Sequence, residues 1–217
     1  AVANVAGAFA QVVVGRDALD LAGLDAAMRK ADGTENLSRL GANAVLAVSL
    51  AAGHAAAASA GVPLYRFLGE RFGAKEWRLP VPMLNVLNGG AHADNGLDVQ
   101  EVMVAPIGLP TFAEGLRAGA EIYQALKAIL KAKGASTAVG DEGGFAPRLG
   151  SNAAAIEAVA LAVGKAGYAL GTDVALALDV AATELYAEGS YRFEGRRVSA
   201  ADLVSIYEGW CQNHPIY

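Results

Sequence analysis

Cysteine is almost missing from these 217 residues: Cys211 stands alone and cannot close an internal disulfide. A reducing, cytoplasmic setting is the default expectation, and no basic leader with an apolar core and small-residue cleavage site opens the sequence. Histidines number only three and do not pair, which argues against sites for soft metals. The 17 basic residues are scattered among 22 acids, giving a net charge of −5. Nothing there favours nucleic acid or an anionic membrane surface. Aromatics are sparse at 7%, yet hydrophobic residues reach 54%, enough to fill the core of one large or two small soluble domains.

Long apolar runs are also few, with one exception. ANAVLAVSLAAGHAAAASAG, from Ala42 to Gly61, approaches the ~20 residues that span a bilayer. Alanine dominates it and Asn43, Ser49 and His54 interrupt it, so a helix buried in a protein core is expected rather than a membrane span. His54 is expected to be packed or surface-facing, not a ligand. Gly61 and Pro63 end the helix, glycine suiting the left-handed residue past a helix and proline being unable to continue one.

The composition changes near Leu79. Residues 1–78 read as helices joined by turns, and residues 79–217 as strands alternating with helices. LDVQEVMVAP is a strand by its β-branched content and its closing proline. PTFAEGLRAGAEIYQALKAILKAKG follows as an amphipathic helix, with Thr111 and Glu114 as a capping box, Phe112, Leu116, Tyr123, Leu126 and Leu130 as its apolar face, and Gly134 past its end. SNAAAIEAVALAVGKAGY repeats the design with Ser151 as cap, Ile156, Val159 and Val163 as the stripe and Gly167 as the stop. DVALALDVAA is apolar on both faces up to Asp179, which suits a parallel strand covered on both sides. A hairpin is expected around YAEGSYRFEG. The pattern implies an α/β fold, either a (β/α) barrel or a doubly wound sheet.

In a barrel the chemistry sits at the C-terminal ends of strands, where Asp179 falls. A buried aspartate there is either salt-bridged or bound to a metal. STAVGDEGGFAP sets Asp141 and Glu142 between glycines that allow close approach of a ligand, and it lacks the Lys-Ser/Thr ending of a phosphate-cradling loop. An exposed acidic turn is the plainer reading. Glu101 on a strand, Glu142 on a loop and Asp179 at a strand end nevertheless form a carboxylate set suited to a hard cation such as Mg²⁺ and to acid/base work.

Five segments, DGTENLSRLGANAVLAVSLA, PLYRFLG, LPVPMLNVLNGGAHADNGLDVQEVMVAP, STAVGDEGGFAP and VALALDVAATELY, resemble the enolase family in the family's order. The resemblance implies a parent with an N-terminal α+β domain and a C-terminal (β/α)₈ barrel, here the helical part of the first (1–78) and the opening elements of the second (79–217). It implies Mg²⁺-dependent dehydration of 2-phosphoglycerate to phosphoenolpyruvate. It also implies a homo-oligomer. Glu142 resembles the acid that assists loss of hydroxide, Glu101 its partner in the same pocket, His92 and Gln100 substrate contacts, and Asp179 the first Mg²⁺ carboxylate. Two neighbouring glutamates repel when both are ionised, so one pKa should rise. Strand alternation, however, sends Gln100 and Glu101 to opposite faces.

Leu37 stands for the family's usual lysine and Val102 for its usual phenylalanine. The family's N-terminal sheet and serine loop are expected before Ala1, and its other Mg²⁺ carboxylates, proton-abstracting lysine and phosphate-binding Arg and Ser beyond Tyr217. The expectation is therefore a central piece, inactive alone; the alternatives are a non-catalytic chain acting as an assembly partner and a related acid-sugar dehydratase.

Overall fold

The computed structural model describes residues 1–217. They divide into two compact units, Ala1–Arg78 and Leu79–Tyr217.

The first unit is helical. Val2–Asn4 (α1) passes through a π-helical turn, Val5–Phe9, into Ala10–Val13 (α2), followed by Leu21–Asp32 (α3), Ala42–Ser59 (α4) and Leu64–Arg71 (α5). Phe9, Met28, Ala44 and Val45 form one small core, and Ala56, Ala57 and Phe67 another. Between α3 and α4 the buried Asp32 carboxylate organises the turn by accepting from Thr34 and from the Leu40 N–H, while Arg39 donates to the Asp32 carbonyl. Leu37 in that turn takes a left-handed φ of 57° and packs half-buried on the Phe9 cluster.

Helix α4 departs from expectation. It is long and apolar enough to cross a membrane by length and composition, yet it buries only Ala44, Val45, Gly53, Ala56 and Ala57, leaving Leu46 and Leu50 exposed. Being apolar all round, it carries no pattern from which its buried face could be read.

The second unit is built on a three-stranded sheet, Leu84–Asn88 (β1), Glu101–Ala105 (β2) and Ala175–Asp179 (β3), in the order β1-β2-β3. Both pairings are antiparallel. The parallel reading of β3 is thus corrected on one flank: β2 runs against it, and only its other flank is parallel, where the Leu176 N–H donates to the Pro215 carbonyl and the Tyr217 N–H to the Leu176 carbonyl. An apolar strand reports burial on both faces, not the direction of its neighbours.

Phe112–Ala132 (α6) and Asn152–Lys165 (α7) pack on the sheet around Val86, Leu87, Val102, Val104, Ile122 and Leu126. Ser151 caps α7, and Ile156, Val159 and Val163 are fully buried, as the spacing predicts. Helix α6 differs. It buries Gly115, Ala118, Gly119, Ile122, Leu126, Ile129 and Leu130, while Phe112 and Leu116 face out. Its Thr111 hydroxyl accepts from the Glu114 N–H, but the glutamate reaches back to that hydroxyl and not to the backbone, so only half a capping box forms.

After a short turn of helix, Ala182–Leu185 (α8), a meander of Tyr186–Ala187 (β4), Ser190–Phe193 (β5) and Arg196–Val198 (β6) precedes Ala200–Asn213 (α9). Each of its two tight turns, Glu188-Gly189 and Glu194-Gly195, has positive φ at both positions. That is the hairpin geometry whose twist matches its strands.

Candidate active site

The reversed direction of β2 assembles the site. Because β2 runs against its neighbours, its first residue, Glu101, pairs with the last residue of β1, Asn88, and the last of β3, Asp179. Residues directly opposite in antiparallel strands point to the same face, so these three form one row across the rim.

At the Glu101 position of this row, His92, Glu101 and Glu142 each bring a ligand-type atom within 4.8 Å of the others. His92 ends the 3₁₀ turn Gly90–His92, and its Nδ1 lies 3.6 Å from Glu142 Oε2 and 3.9 Å from Glu101 Oε1, buried and with no hydrogen-bond partner. Glu142 arrives on the glycine-rich loop. That loop is held by the Asn88 N–H donating to the Phe145 carbonyl, the Gly140 N–H to the Gly144 carbonyl, and the Tyr123 hydroxyl to the Gly143 carbonyl. Glycine is required at 144: a Cβ there would stand 2.3 Å from Asn88 Oδ1 and 2.9 Å from the Leu87 nitrogen.

The two glutamates divide one proton. The Glu101 side chain is 16% exposed against 45% for Glu142. Burial pushes the Glu101 carboxyl up to about 7, and the hydrogen bond and negative charge of Glu142 and the charge of Asp179 add to it, with His92 opposing. Glu142 is held below the usual carboxylate range by hydrogen bonds from Glu101 and Asn85. The proton therefore rests on Glu101, the buried partner, and Glu142 is the ionised acceptor.

Asp179 is exposed, contrary to the expectation of a buried carboxylate. One of its oxygens accepts from the Ala181 N–H at 2.8 Å, leaving the other without a protein donor. A single hard oxygen ligand at a rim open to water fits Mg²⁺, which keeps several waters and takes one or two carboxylates. Gln100 lies apart from the three. It precedes β2 and lines a neighbouring cavity of about 710 Å³, with Asp98, Val180 and Arg192, that His92, Glu101 and Glu142 do not line.

Residues 76–217 match the family model described as "Enolase, C-terminal TIM barrel domain", and residues 1–68 match "Enolase, N-terminal domain". The chain belongs to the enolase family. Its α/β organisation is that of the enolase N- and C-terminal domains, and enolases as a family are metal-dependent lyases.

Asn85 escaped the sequence reading, although its amide donates to Glu142 Oε2 at 3.1 Å. Asn85 and Asn88 are three apart, which on a regular strand means opposite faces. A bulge between Asn85 and Leu87 absorbs one residue, so Asn85 pairs with Met103 and Asn88 with Glu101, on the same side. Nothing local in LNVLN marks that bulge.

Proposed function

We propose that the protein takes part in the reversible dehydration of 2-phosphoglycerate to phosphoenolpyruvate. The observation that carries this reading is the meeting of Glu101, Glu142 and His92 within 4.8 Å in an enolase-family chain, where burial lifts the Glu101 carboxyl and hydrogen bonds lower that of Glu142. β-Elimination of water needs an acid that can hand a proton to departing hydroxide near neutral pH, and a carboxyl lifted to about 7 is matched to that task. Glu101 stores the proton, Glu142 exchanges it, and Asn85 keeps the Glu142 carboxylate aimed at the pair. His92 offers a nitrogen to substrate or to the pair, its Nδ1 being unengaged by protein. Asp179 would hold Mg²⁺, which supplies positive charge beside the substrate carboxylate. The small-molecule substrate, cytoplasmic location and homo-oligomeric assembly belong to the same proposal.

The test is made in the full-length protein. Glu142→Gln keeps the shape and removes the ionised carboxylate through which the Glu101 proton is exchanged, so water loss should slow by roughly 10²-fold or more, the usual scale for a positioned acid or base. Exchange of the substrate C2 proton should survive much better. Equal loss of both steps would assign Glu142 to positioning, and unchanged turnover would remove the reading altogether.

A further inference from the structure

We propose that Asn152 is a positioning residue that sets the width of the 710 Å³ cavity, by clamping the loop between His92 and Glu101 to the β5–β6 turn. Its side chain, at the start of α7, is 1% exposed and uses every hydrogen-bonding site it has. Oδ1 accepts from the Asp98 N–H at 2.9 Å and the Val99 N–H at 3.0 Å. Nδ2 donates to Asp98 Oδ2 at 3.0 Å and Glu194 Oε1 at 3.1 Å. The Asn152 N–H donates to the same Glu194 oxygen at 3.0 Å, and the Glu194 N–H closes the ring on Asp98 Oδ2 at 2.9 Å. Only a primary amide presents two donors and two acceptors there without charge; aspartate would gather three carboxylates, and an apolar residue would leave the Asp98 and Val99 N–H groups without their acceptor and take one donor from each acid.

The clamp joins two walls of one cavity. Gly90, Asp98 and Gln100 line one side, and Arg192 and Gly195, flanking Glu194, line another. The two ends of the loop are tied together, since the Gly89 N–H donates to the Gln100 carbonyl and the Gly90 N–H to the Leu97 carbonyl. Fixing Asp98 and Val99 therefore fixes Gln100 at one end, and the bonds of Gln100 to Gly89 and of Leu97 to Gly90 constrain the turn that carries His92.

The kinetic half of the test rests on the dehydratase reading; the exchange half does not. In the full-length protein, amide hydrogen exchange is followed over residues 93–99 and 188–197, with KM and kcat for 2-phosphoglycerate at pH 6 and pH 8. Asn152→Ala should speed exchange in both segments and raise KM about tenfold, the scale of losing hydrogen bonds to charged groups, with kcat within about twofold. Glu194→Ala, an exposed change, should loosen residues 188–197 alone. For Asn152→Asp, the groups facing it are Asp98 and Glu194, with Arg192 on β5 lining the same cavity as Asp98 and Tyr207 on α9 within reach of the Asp98 charge; its KM defect relative to the parent should shrink at pH 6, where a proton restores a donor. Parental exchange in Glu194→Ala, or parental exchange and KM in Asn152→Ala, would overturn the clamp. A full-length parent with no turnover would overturn the dehydratase reading and leave exchange to decide the clamp.

Discussion

Glu101 and Glu142 lie on one site but differ in exposure, and the difference has a thermodynamic signature. Below pH about 4.5, its ordinary value, Glu101 carries a proton in both folded and unfolded chains; between 4.5 and about 7 only the folded chain keeps it. The stability this group contributes is thus present below 4.5, falls as pH rises, and is lost above about 7. Glu142, with its pKa lowered, contributes stability above its ordinary value that is lost as pH falls. Glu101→Gln should therefore flatten the decline between pH 5 and pH 8 in urea unfolding, gaining on the parent at the higher pH. A parental slope in that variant would place the proton elsewhere. Gly144→Ala should be harsher on turnover than its size suggests, because the new methyl displaces the loop that carries Glu142; a full-rate variant would show that the loop accommodates it. Sequence showed the pair but not which member holds the proton, since burial depends on strands and loops far apart in the chain. Asn85 was hidden for the related reason that a bulge changes sides without changing composition.

Elements were most legible where large side chains do the packing. Ile156, Val159 and Val163 form the expected stripe of α7 and are buried to the last methyl, and Ile156→Ala should cost about 2–5 kcal/mol in chemical denaturation. A cost under 1 kcal/mol would mean the site collapses around the gap (~1 kcal/mol being the scale of one buried methylene). On helix α6 the expected Leu126 and Leu130 are buried, but the first half differs because its contact face there is made of small residues. Gly115 approaches Pro106 and Pro82, and a Cβ on Gly119 would stand 2.6 Å from Leu84 Cδ2, so the helix lies close on the sheet and turns Phe112 and Leu116 outward. The half-formed cap at Thr111 still satisfies the Glu114 N–H, and Thr111→Ala should lower stability by about 1 kcal/mol.

For the molecule as a whole, the alternation of strands and helices gave the α/β class and the change of composition near Leu79, while strand direction stayed invisible. In the helical unit Leu46, Leu50 and Phe72 are 57%, 53% and 87% exposed. Exposed apolar side chains of this size bind hydrophobic dyes, so the 217-residue chain should enhance ANS fluorescence and Leu50→Glu should reduce it without changing the circular dichroism. Equal dye binding by both would locate the accessible surface elsewhere. The reversal of β2 has a last consequence, for how the chain tolerates length changes. Each residue advances a strand by about 3.4 Å and swaps its face, so one residue inserted between Glu101 and Val102 would turn Glu101 toward the helices, and two would keep its face but carry it roughly 7 Å beyond Asn88 and Asp179. The bend before the strand is tied down as well: buried Asn95 donates through Nδ2 to the Asn88 carbonyl and accepts from the Leu97 N–H, so residues added within 93–96 would pull that bend off β1. The strand and the bend together act as a gauge, each with its length under constraint.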